Sequence, residues 1–132
     1  MMTDIALIVT ALLFGGTTLY SFGFAAFVFT ALPAETAGPL IRRAFPLFYL
    51  FVLAVSALAA GLAAFGDAVA AGLLAAIAVT TIFAREILMP AINRATDSGD
   101  RRRFQVLHTL SVLITLAHIV MAAAALLRIA AL

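Results

Sequence analysis

Four apolar runs separated by short polar breaks leave this chain few ways to fold. Residues 5–32, 45–65, 68–89 and 104–128 carry few charges and are long enough to cross a hydrocarbon layer about 30 Å thick with some tilt. In lipid every backbone N–H and C=O needs a partner within the protein, so such runs become helices. Short breaks between them favour antiparallel neighbours. The sequence therefore predicts an all-α fold: a four-helix transmembrane bundle of antiparallel, up-down topology, with residues 1–132 forming a single membrane domain.

The breaks have their own signatures. Residues 32–39 read as a loop by Pro33, Gly38 and Pro39, with Pro46 in the first turn of helix two, where a missing N–H costs least. Gly66-Asp67 reads as a tight turn. Pro90 is expected to end or kink the third helix, and the polar stretch 91–100 follows, with Ser98 or Asp100 as N-cap of the fourth.

Composition agrees with a membrane protein: 66% of residues are hydrophobic and 11% charged, and the mean hydropathy is +1.22. The chain has no cysteine, which removes disulfides, thiolate metal sites and cysteine nucleophiles. Arginine supplies all the positive side chains. Arg42, Arg43, Arg85, Arg94 and Arg101 to Arg103 cluster around the first and third breaks, whereas Arg128 stands apart. The positive-inside rule then puts both breaks in the cytoplasm and both termini on the non-cytoplasmic side. The N-terminus has an acid, Asp4, where a signal peptide has basic residues, so its apolar run reads as a retained span. A bacterial inner (cytoplasmic) membrane is the expected home. Membrane lipids are expected partners, and nucleic acid is not, because the arginines sit where topology wants them.

Polar residues inside the spans are the candidates for function. Phe104, His108, Ser111, Thr115, His118 and Ala122 recur at steps of four and three, within about 80° of one helix face. Such a stripe is expected to face other protein. His118 falls near mid-helix, as do Thr17, Ser56 and Thr80, which predicts a polar layer in the bundle centre around His118 with Thr115 on the same face. A second candidate, at the cytoplasmic edge, comprises His108, Ser111, Arg85 and Glu86. Pro90 removes the N–H that would bond the Glu86 carbonyl. The histidines are ten residues apart, about 15 Å along a helix, so they cannot share one metal. No catalytic set and no metal site is predicted. Ala11 and Gly15, Ala57 and Gly61, and Ala68, Gly72 and Ala76 show the four-residue small spacing that lets helices pack closely.

Several stretches carry a resemblance: Gly15 to Phe24, Leu32-Pro33, Arg43 to Tyr49 with its Phe-Pro-x-x-Tyr, Met89-Pro90, and the run Arg103-Phe-x-x-Leu-His-x-x-Ser111. Together they resemble the transmembrane-protein-205-like family of small four-helix membrane proteins, a domain of unknown function. The resemblance spans nearly the whole chain and carries the family's histidine onto His108 and its serine onto Ser111. Where many members have asparagine after that serine, this chain has Thr115. The resemblance implies an integral four-helix membrane protein and brings no reaction, substrate or cofactor.

Three functions compete. The shortage of chemistry favours a non-enzymatic binding or scaffold protein, acting as a homo-oligomer or as an accessory subunit of a larger membrane complex. A small-solute or ion transporter would use the midplane layer around His118. An oxidoreductase carrying haem or another pigment would use one of the histidines as a ligand.

Overall fold

A computed structural model describes residues 1–132 as four helices of 30 residues each: α1 (Met2–Ala31), α2 (Ala34–Ala63), α3 (Ala68–Asp97) and α4 (Arg101–Ala130). All four are long and apolar enough to cross a membrane. Neighbours run antiparallel, as three polar links demonstrate. The Tyr20 hydroxyl of α1 donates to the Ala44 carbonyl of α2 at 3.1 Å. Arg42 of α2 reaches Asp97 of α3 at 2.9 Å, and Arg128 of α4 reaches Asp67 before α3 at 3.0 Å. Met2 and Ala6 share a pocket with Leu62, Gly66 and Ile129, so both termini lie at one end of the bundle. The other end carries Arg42, Arg43, Arg94 and Arg101 to Arg103 and is called the basic end below.

The connections are shorter than the sequence suggests, and the helices correspondingly longer. Only Leu32 and Pro33 separate α1 from α2. Leu32, preceding a proline, is extended (φ −123°, ψ 150°) because the pyrrolidine ring disfavours the helical region there. Pro39 and Pro46 then lie inside α2. Each costs one backbone bond, and burial of Ala37 against the bundle holds the first turns in place. The expected polar loop 91–100 is also mostly helix. The helix runs through Pro90 to Asp97 because Ala91 and Ala95 are buried, and a wide π turn, Ala84–Leu88, sits just before the proline. A second π turn, Leu19–Phe24, interrupts α1.

Gly99 stops α3 with φ +71°, a left-handed conformation that favours glycine. Asp100 N–H bonds the Ala95 carbonyl and Gly99 N–H bonds that of Thr96, which is a Schellman motif. Asp100 at once turns to cap α4, accepting from Arg103 N–H at 3.1 Å. At the other end Asp67 caps α3 by accepting from Val69 and Ala70 N–H.

Leu13, Val52, Leu74, Ile77 and Ile129 fill the core among alanines such as Ala6, Ala59, Ala70, Ala122 and Ala125, whose small side chains bring the helices together. The small pairs singled out by spacing are not these. Ala11, Gly15, Ala57, Gly61, Ala68 and Gly72 are all exposed, and a Cβ on Gly15, Gly61 or Gly72 would touch nothing within 4 Å. Four-residue spacing identifies a helix face without saying which way it turns. The glycine that admits a side chain from a neighbouring helix is Gly16, where a Cβ would come within 2.8 Å of the Phe51 ring.

Candidate functional site

Thirty residues make a helix about 45 Å long, against a hydrocarbon thickness of about 30 Å. Position along the helix therefore decides what each polar residue meets.

His118 is 7% exposed and is held by α3: its Nε2 lies 2.6 Å from the Thr80 hydroxyl. That hydroxyl also lies 2.7 Å from the Ala76 carbonyl, one turn back. A hydroxyl has one proton to give, so Thr80 donates to the carbonyl and accepts from Nε2–H, which assigns the imidazole proton to Nε2. Thr80 itself is exposed on the outside of α3.

The other expected members of a midplane layer do not join this pair. Thr115 donates to the Ser111 carbonyl on its own helix at 3.0 Å. Ser56 donates to Leu53, also at home, at 3.2 Å. Because α2 starts at Ala34, Ser56 lies only about two turns from its end instead of mid-helix. Thr17 is buried, and its hydroxyl has no protein partner.

The stripe on α4 turns inward by degrees. Ala122 and His118 are buried, Thr115 and Ser111 are half-buried, and His108 is exposed, its ring stacked on Phe104 at 5.4 Å and 8°. Every buried residue of α4 lies between His118 and Ile129. Toward the basic end the helix packs loosely, which is inexpensive where headgroups and water can solvate a polar side chain.

That looseness opens a cavity of about 130 Å³ between α2, α3 and α4. Phe45, Tyr49 and Met89 are among its walls; Asn93, His108 and Ser111 give it hydrogen-bonding groups. Arg85 and Glu86, expected at the same edge, do not line it. They pair with each other across one peptide bond in the π turn of α3, about 18 Å below the basic end because α3 continues to Asp97. A larger cavity, of about 660 Å³, lies on the outside between α1 and α2. Its lining is apolar except for Tyr20, whose hydroxyl is already given to Ala44.

Sequence reasoning missed the packed aromatic group that joins α1 to α2. Tyr20 stacks on Phe48 at 4.8 Å and 5°, with Phe45 edge-on to both. The Phe-Pro-x-x-Tyr motif was the available signal, since it places Phe45, Phe48 and Tyr49 on one side of α2. Asn93 stands alone in sequence, and only the folded bundle brings it and Tyr49 beside α4.

Fold and polar sites together define a small all-helical membrane protein, each of whose four helices is long and apolar enough to cross a membrane. Residues 8–101 match the family described as a domain of unknown function (DUF4149), and the chain belongs to that family. The matched residues take in Tyr49, Thr80 and Asn93 but stop at the start of α4, before both histidines. No curated protein and no solved structure matches the chain.

Proposed function

We propose that this protein is a non-enzymatic binding element of the membrane that associates with a second copy of itself through the outer faces of α2 and α3. One observation carries the reading. At the end nearest the Gly66-Asp67 turn, those faces carry a run of small residues: Ala54, Ala57 and Gly61 on α2, and Ala68, Gly72 and Ala75 on α3, are all exposed, beside Leu58, Phe65 and Val69. Much of the remaining outer surface is Leu, Ile, Val and Phe. Glycine weakens a helix, and here it relieves no contact inside the bundle. The partner that gains is a helix approaching from outside, for which small residues permit close van der Waals packing.

The same proposal places the basic end in the cytoplasm of a bacterial inner membrane by the positive-inside rule. It also takes the chain as kin to the transmembrane-protein-205-like proteins, on the Phe-Pro-x-x-Tyr motif and the Arg103 to Ser111 run. Crosslinking in nanodiscs tests the association. Wild type should give dimers, and Gly61→Leu with Gly72→Leu should give monomers with an unchanged helical signal. A monomeric wild type, or dimers indifferent to both changes, would contradict it.

A transport role has one observation in its favour, the His118–Thr80 pair at mid-bundle with Thr80 exposed. Flux into proteoliposomes that survives His118→Ala would remove it.

A further inference from the structure

The cavity at the basic end has a chemistry that the association faces, at the opposite end, do not use. Its hydrogen-bonding groups come from three helices. Tyr49 of α2, Asn93 of α3 and His108 and Ser111 of α4 all line it. The Asn93 side chain stands free, since it is its backbone carbonyl that accepts from Arg42. His108 makes its aromatic contact with Phe104, which leaves both ring nitrogens open.

Charge narrows the choice of ligand. Arg42 is the cationic side chain in the lining, and one of its terminal nitrogens is bonded at 2.9 Å to Asp97 and at 3.0 Å to the Asn93 carbonyl. With that cation paired, the site offers a phosphate or carboxylate little. It suits a neutral group rich in oxygen atoms. Size narrows it further, because a cavity of about 150 Å³ holds one benzene ring, close to the 130 Å³ found here. Phe45, Tyr49 and Met89 supply walls of the kind that pack against a flat ring.

Depth fixes the route. Tyr49 and Ser111, fifteen and ten residues into α2 and α4, form the deeper part. At the mouth Arg42 is eight residues into α2 and Asn93 four from the end of α3, roughly 6–12 Å below the helix ends. For a 45 Å helix in a 30 Å hydrocarbon layer, that is the boundary between headgroups and acyl chains. A lipid-soluble molecule with a polar ring at one end concentrates there.

We propose that this cavity binds the head of a neutral amphiphile, a single ring bearing carbonyl or hydroxyl oxygens of the quinone and quinol class. Tyr49, Asn93, His108 and Ser111 meet the oxygens, and the alkyl tail lies along the bundle in lipid. Binding alone is proposed, with no electron transfer.

Calorimetric titration of the protein in nanodiscs with a short-chain alkyl benzoquinone tests the site. Saturable binding near one per chain is expected, weakened at least tenfold by His108→Ala and by Asn93→Ala. Both side chains are at least partly exposed, so these variants should fold. Ser111→Phe, which fills the cavity, should abolish binding, whereas Gly15→Ala on α1, where the added Cβ meets nothing within 4 Å, should leave it intact. Unsaturable partitioning, or saturable binding unchanged in His108→Ala and Asn93→Ala, would overturn the proposal. So would tight binding of inorganic phosphate, or of phosphatidylglycerol nanodiscs over phosphatidylcholine ones, in place of the quinone.

Discussion

His118 shows how one hydroxyl decides the fate of a polar ring in lipid. Its Nε2–H is satisfied by Thr80 and by no other side chain. Thr80→Val keeps the shape but removes the acceptor, and leaving a buried donor unpaired costs about 1–3 kcal/mol. Unfolding in mixed detergent micelles should show that loss, while Thr80→Ser should restore most of it. Asp67 works differently, at the bundle's end. Hydrogen bonds from Ala70 N–H and then Arg128 hold its carboxyl below the usual value of 3.8. The folded protein therefore binds that proton less readily than the unfolded chain. The stabilisation is complete above the unfolded pKa and is lost as pH falls through the lower, folded one. Asp67→Asn should flatten this acid limb of the stability profile, measured by thermal unfolding between pH 5 and the acid range.

At the scale of elements, hydrophobic length was legible and helix ends were not. All four spans follow from apolar runs alone. Their limits run past each proline or polar residue that reads as a break, as at Pro39, Pro46 and Asn93. Helices here overrun the hydrocarbon layer, so their outer turns are free to be polar while still packing through Ala37, Ala91 and Ala95. The polar site was half legible. The four-three spacing found the face of α4, yet it could not tell that the helix packs tightly only beyond His118. Glycine gives the sharpest test of the connections. Gly99→Ala forces a side chain into the left-handed region at a cost of about 1–2 kcal/mol. Gly15→Ala, with open space around it, should be neutral or slightly stabilising in the same unfolding assay.

For the whole molecule, the division of labour follows the bundle axis. One end brings the termini together, carries the Asp67–Arg128 link and exposes its small residues outward. The other concentrates arginine and leaves a gap between three helices. A partner and a ligand would therefore be met at opposite faces of the membrane. The absence of cysteine makes this directly measurable by site-specific labelling. Single variants Thr3→Cys, Gly66→Cys, Ser98→Cys and Leu132→Cys should be probed in intact cells with a membrane-impermeant maleimide. Labelling of positions 3, 66 and 132 from outside, with position 98 reacting only after lysis, is the expected pattern. Positions 3 and 132 on opposite faces, or 66 and 98 on the same one, would contradict four crossings and everything argued from them.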